Sequence, residues 1–265
     1  MNAEILSVDT GPQPGNAENT DARDLSGEVV RTHTLRLFGI GESRVEAKLR
    51  DMTDGLRNPT LALCSRSGEC SVRVTAKAAD TETCDHMMEP VLREINERLG
   101  DYVYGVDANS LEEVASALLR KRGATLAAAE SCTGGLLAKR MTDLPGASDV
   151  FSGGCTVYTV SAKIDLLGLD PELIAEHGVV SAPVAEKLAR RVRKKLGSTL
   201  GVGITGWAGP DGDDVGLVYV ALAWKGESVV RRLNFGENAT RENIRTLAVS
   251  NALDMVIRYL RGKEL

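Results

Sequence analysis

The segment AAAESCTGG, Ala127 to Gly135, sets a serine hydroxyl, a cysteine thiol and a threonine hydroxyl side by side between an apolar run and two glycines. An amphipathic stretch follows directly. A hydroxyl at the start of a helix lies near unpaired backbone N–H groups and the positive end of the helix dipole, where a developing oxyanion or a phosphate is favoured. Gly134 and Gly135 would let the backbone approach a ligand closely. A plain turn with a Ser or Thr N-cap accounts for the same residues, so both readings stand.

If Ser131 is a nucleophile, its alcohol needs a proton acceptor within hydrogen-bond reach. Histidine is scarce: of His33, His86 and His177, only His177 falls in the same half of the chain, before Gly178 at a helix end. Lysine and tyrosine are the remaining candidates. Tyr158 is expected to end a strand, and Lys163 follows five residues later in the first turn of the next helix. The helix dipole together with burial would lower the lysine's pKa toward that of a usable base. A core tyrosine and a solvated lysine are the ordinary alternatives. Cys132 is a rival nucleophile without an evident partner, and a small buried thiol is its ordinary role.

Two further groups could shape a site. Thr205-Gly206-Trp207-Ala208-Gly209-Pro210-Asp211-Gly212 follows a strand and would form a rigid loop walling a pocket, or an ordinary turn. Asp211, Asp213 and Asp214 lack the remaining ligands of a calcium loop and read as solvated carboxylates. Arg241 and Arg245, one helical turn apart at the start of the last helix, could hold a ligand phosphate or make surface ion pairs. The basic run Arg190 to Lys195 reads as a solvated helix face, with Val192 and Leu196 turned inward.

Those residues require elements to position them. Residues 1–30 open with a strand candidate, Ala3 to Val8, and continue as a polar, Pro- and Gly-rich stretch expected to be a mobile leader. Residues 31–105 read as a small α+β unit. It comprises a strand at Thr34–Phe38, a helix capped by Ser43 and ending near Gly55, a hairpin of Thr60–Cys64 with Cys70–Ala76, and a helix from about Thr83 to Leu99. From residue 106 a capping box, Ser110 with Glu113, opens a helix. Strands and helices then alternate to a long final helix, Arg241 to Arg261. The alternation predicts a three-layer α/β/α domain, and a hairpin turn at Lys225-Gly226 makes its sheet mixed.

Composition narrows the function classes. The chain has 265 residues, with 43% hydrophobic, 26% charged and 4% aromatic residues and a formal net charge of −5. So few aromatics argue against base-stacking platforms for nucleic acid. No apolar run reaches a membrane-spanning length, and no basic-then-apolar segment opens the chain, so a cytoplasmic location is expected. Five cysteines without a C-x-x-C pair fit reduced thiols, and the dispersed histidines offer no helical metal spacing. Neither a metal nor a cofactor is expected.

AAAESCTGGLLA, FSGGCTVYTVSAKIDLLGL, HGVVSAPVAEKLA and GITGWAGPDG followed by VGLVYVAL resemble the successive blocks of the C-terminal domain of the CinA family, over residues 110–260. LRLFGIGES, NPTLALCSRSGECSVRVTAKA and GDYVYGVD resemble the family's KH-type middle domain, from about Thr34. MNAEILSV and NTDARDLS resemble the start of its molybdopterin-binding-like N-terminal domain, most of which is missing. The ADP-ribose pyrophosphatase activity of that domain is therefore not expected. Val160-Ser161 stands where Ser-Asn is usual, and Asp213-Asp214 replaces a more glycine-rich turn.

The resemblance implies deamidation of nicotinamide mononucleotide to nicotinate mononucleotide and ammonia, in a dimer. Ser131 would attack the carboxamide carbon, and Lys163 and Tyr158 would move its proton. Amides of the Ser131–Gly135 loop would hold the oxyanion. Thr133, Gly134, Gly135, Thr205, Gly206 and Gly209 would line the pocket, and Arg245, with Arg241, would hold the phosphate. A catalytically silent nucleotide-binding or regulatory protein is the alternative. Nucleic acid is not expected as a partner, because residues 34–100 contain no G-x-x-G clamp flanked by basic residues.

Overall fold

The computed structural model describes residues 22–23, 27–66 and 68–265. The strand expected at Ala3–Val8 and most of the expected leader lie outside the described residues. Contacts divide the chain into two units at Ser110/Leu111.

In the first unit, β1 (Ala22–Arg23), β2 (Val29–Phe38), β3 (Thr60–Arg66), β4 (Glu69–Ala78) and β5 (Val103–Val106) form an antiparallel sheet ordered β1-β2-β4-β3, with β5 also on β2. Helices α1 (Glu42–Gly55) and α2 (Thr81–Leu99) pack against it. The period-2 alternation of Leu35 and Leu37 on β2, and of Val72, Val74 and Ala76 on β4, meets the helical stripes Val45–Leu49 and Met88–Val91–Ile95 in one core. The expected cap at Ser43 is displaced: α1 begins at Glu42 after Gly41, and no side chain caps it. Glu42 complements the helix dipole instead. Helix α2 starts two residues earlier than expected because the Asp80 carboxylate accepts from the Thr83 amide at 2.8 Å.

The second unit contains α3 (Leu111–Arg122), β6 (Leu126–Glu130), α4 (Leu136–Thr142), β7 (Phe151–Thr156), α5 (Val160–Leu167), α6 (Pro171–His177), α7 (Ala182–Leu196), β8 (Leu200–Gly206), β9 (Leu217–Ala223), β10 (Ser228–Asn234) and α8 (Arg241–Leu260). Its sheet runs β10-β9-β8-β6-β7. β7, β6 and β8 are parallel, while β9 and β10 join antiparallel through the expected Lys225-Gly226 turn.

Small residues decide how the layers close. On β6, β8 and β9, the positions facing α7 are Ala127 and Ala129, Gly201 and Gly203, and Ala221 and Ala223. This floor lets Val184, Leu188 and Val192 of α7 settle onto the sheet. Ser181 caps that helix at its start and Gly197, at φ 64°, ends it. The alternate positions, Val202, Ile204, Val218, Val220 and Leu222, are fully buried on the other face, where α8 covers β9 and α3 packs on α8. Among the described residues no helix is long and apolar enough to cross a membrane.

Candidate active site

Because β6, β7 and β8 are parallel, their carboxyl ends open on one edge of the sheet, where ligands bind in open α/β folds. Ser131 directly follows β6. Its amide donates to Ile204 O at 3.0 Å, and the Val157 amide donates to Glu130 O at 2.8 Å, so sheet hydrogen bonding continues past the strands and fixes both neighbours of the turn.

Lys163 reaches this turn from α5. Thr159 caps the helix by accepting from the Ala162 amide at 3.1 Å, and Lys163 lies in the first turn that this cap opens. The lysine is completely buried. Its Nζ lies 2.9 Å from Ser131 Oγ, 2.8 Å from Val157 O and 3.5 Å from Tyr158 O. Burial lowers its pKa from 10.5 to about 8. The amine donates to the serine hydroxyl and to the two carbonyls, and once it loses a proton its lone pair is free to accept from Ser131 Oγ while the carbonyls keep its two remaining hydrogens.

Cys132 lacks such activation. Its thiol is buried and pushed up to about 12, first by desolvation and further by the nearby Glu130 charge. The native protein at pH 7.5 is expected to leave Cys132 unalkylated by iodoacetamide until it is denatured, as peptide mass mapping would show. Rapid native modification of Cys132 would contradict this burial.

Glu130 was not singled out in the sequence. It is almost fully buried, and its carboxylate accepts three amides: Gly135 at 3.1 Å, Leu137 at 3.0 Å and Ala138 at 2.9 Å. The positive end of α4, expected to serve an oxyanion or phosphate, is thus occupied by the protein's own side chain. Within the expected oxyanion loop, the amides of Ser131, Gly134 and Gly135 already have acceptors. Those of Cys132 and Thr133 have none among the described residues. The signal for Glu130 was a carboxylate ending an otherwise apolar strand, LAAAE.

Tyr158 lies beyond β7, which ends at Thr156, so it does not end the strand as expected. Its ring is half-exposed, and its hydroxyl lies 2.8 Å from Arg241 Nη2 rather than beside Ser131 or Lys163. Arg241 Nη1 donates to Gly209 O at 2.6 Å. Arg245 Nη2 donates to Thr133 O at 2.7 Å, while its Nε is buried without an acceptor among the described residues, as is Thr133 Oγ1 without a partner. Thr205 is buried and donates to Val179 O at 2.8 Å. Gly206 lies against β9, where a Cβ would come 2.6 Å from Val218. Gly134 and Gly135 adopt φ of 60° and 94°, which glycine alone takes without strain.

A cavity of about 720 Å³ opens between residues 208–215 and 234–241, with Arg241, Asp213, Asp214, Glu237 and Thr240 in its wall. Ser131 and Lys163 do not line it, and Arg241 connects it to Tyr158.

A profile of the CinA C-terminal domain matches residues 108–260, and one of the damage-inducible protein CinA KH domain matches residues 32–105. The chain belongs to the CinA family. A CinA-like protein of Desulfovibrio desulfuricans is 46% identical over 243 residues, covering 90% of this chain and 57% of that relative. The chain spans 57% to 58% of the length of the curated CinA relatives it matches first. Among solved structures, the competence or damage-inducible protein from Enterobacter asburiae aligns with TM-score 0.55 and 27% identity, covering 58% of this chain and 99% of that one. The competence/damage inducible protein CihA from Agrobacterium tumefaciens aligns with TM-score 0.53 and 34% identity, covering 57% and 95%.

Within this CinA chain, the departures noted in the sequence leave the Ser131–Lys163 pair intact. Ser161 bonds Thr159 across 2.9 Å, and Asp213 and Asp214 belong to the cavity wall rather than to bulk solvent alone. The basic run on α7 keeps its expected position: Val192 is buried, and Arg190 spends its guanidinium on Glu186 and Ser228.

Proposed function

We propose that this CinA-family chain is a serine amidohydrolase that converts nicotinamide mononucleotide to nicotinate mononucleotide and ammonia. The observation that carries the reading is the buried lysine amine 2.9 Å from a serine hydroxyl, with two carbonyls holding its hydrogens. Ser131 Oγ attacks the carboxamide carbon while Lys163 takes its proton. The carbonyl oxygen becomes an oxyanion facing the Cys132 and Thr133 amides, each such donor contributing about 3–4 kcal/mol in comparable sites. Lys163 returns the proton to the departing nitrogen, which leaves as ammonia. Water, deprotonated by the same amine, then cleaves the ester and restores Ser131. Tyr158 acts through its carbonyl on Lys163 and through its hydroxyl on Arg241. Arg241 and Arg245 offer the positive charge for the nucleotide phosphate.

Ammonia release from nicotinamide mononucleotide tests this directly. Wild-type protein is expected to turn over, and Ser131→Ala to fall by about 10⁴-fold or more, since residues of one such unit fail together. No release by the wild type, or equal rates in the variant, would overturn the proposal.

A further inference from the structure

We infer that Glu130 is the positioning residue of the Ser131–Lys163 pair: its carboxylate, by filling the start of α4, holds the reactive turn in the one geometry that presents the serine to the lysine. The inference rests on the serine–lysine reading above. Glu130 acts on both partners. Its side chain clamps Gly135, Leu137 and Ala138, closing the turn that begins at Ser131. Its backbone carbonyl accepts the Val157 amide, and Val157 O in turn accepts from Lys163 Nζ.

The turn has backbone bonds of its own, Gly134 N to Ser131 O at 3.0 Å and Leu136 N to Thr133 O at 3.2 Å, and Glu130 is the side chain that ties it to the start of α4. Gly135, the N-cap of α4, offers no side chain, and α4 has only seven residues. With the Gly135, Leu137 and Ala138 amides taken by Glu130, the Cys132 and Thr133 amides are the ones in the turn with no acceptor among the described residues. A glutamine would keep the shape, but its NH2 group would meet an amide donor where a carboxylate oxygen now accepts. Displacing reacting groups by about 1 Å commonly costs on the order of a hundredfold in rate.

An alkyl fluorophosphonate provides a readout of serine reactivity independent of nucleotide binding. Ser131 Oγ forms a bond to phosphorus, the P–F bond breaks, fluoride leaves and the serine proton passes to Lys163. Labelling rates are measured per folded protein, with circular dichroism fixing the folded fraction, across pH 6 to 10 for wild type, Ser131→Ala and Glu130→Gln. Wild type is expected to label increasingly as pH rises through about 8, where Lys163 becomes neutral, and Glu130→Gln to label about 10- to 100-fold more slowly with the same midpoint. Folded Glu130→Gln that labels at the wild-type rate overturns the inference. Absence of labelling in wild type, or equal labelling of Ser131→Ala, instead overturns the serine–lysine reading on which it rests. Where Glu130→Gln does not fold, Gly135→Ala strains the same bond from its other end at φ 94°. Slowed labelling of that folded variant supports the inference and wild-type labelling overturns it.

Discussion

Under the proposed function, Lys163→Met is expected to lower amide hydrolysis by about 10²- to 10⁴-fold, the range that a positioned general base supplies. Methionine refills the apolar path of the lysine stem, so the effect isolates the amine. The wild-type pH–rate profile carries the same information. The base form is the neutral amine, so activity rises with pH through about 8. A rate independent of pH between 7 and 9 would remove Lys163 from the chemistry.

Stability has a linked pH dependence whose sign is fixed. The folded pKa of Lys163 lies below its ordinary value of 10.5, so between about 8 and 10.5 the unfolded chain binds more protons. Folding stability therefore rises with pH across that window. Below about 8 the buried charge costs on the order of 3 kcal/mol relative to its value above 10.5. Lys163→Met removes this slope. It is expected to gain stability at pH 7, reduced by the one or two carbonyls left without a donor, and to lose that gain as pH approaches 10.5. Urea unfolding at pH 7 and at pH 10 would show it, and parallel pH dependences in the two proteins would refute it.

Gly203→Ala is expected to destabilise the second unit by about 3 kcal/mol, and Gly203→Val to abolish its folding. An added Cβ would stand 2.3 Å from Ala185 O and 2.5 Å from Ala189 N. Both are backbone atoms of α7, so no side chain can rotate aside, and the whole helix must lift from the sheet. Gly201 meets α7 one turn later, 2.3 Å from Ala189 O. Lifting α7 would open the layer formed by Val184, Leu188 and Val192 over Ala127 and Ala129. Chemical unfolding monitored at Trp207 and Trp224 would measure the loss, and a Gly203→Ala transition within 0.5 kcal/mol of wild type, roughly the scatter of neutral surface changes, would contradict the packing account.

Periodicity made most of this architecture legible, since helix and strand stripes such as Val184–Leu188–Val192 and Leu35–Leu37 have the spacing their burial requires. The start of α1 departs from the sequence expectation because serine is a good cap in general, whereas the chain here uses Gly41 and the Glu42 charge. With histidine set aside, lysine and tyrosine both stay open as bases for Ser131; the family resemblance implies Lys163, and the 2.9 Å contact appears only in the fold. Glu130 was not legible, because three acceptor contacts to residues five to eight positions ahead exist only once the turn has closed. Tyr158 departs from its sequence expectation for a related reason. Its sequence neighbourhood places it beside Lys163, but its backbone carbonyl makes that contact, and the phenol turns away to Arg241.

The mixed sheet also separates two kinds of change that mutation can explore. Ser131 and Lys163 hang from the parallel strands β6 and β7, while the cavity is walled by the β8–β9 and β10–α8 connections of the antiparallel side. Arg241 links the two, through Tyr158 and Gly209. Insertions and substitutions in those connections can therefore redraw what the cavity admits while the lysine keeps its burial and its basicity. Under the proposed function, a set of related chains built this way would share one pH profile and diverge in what they bind.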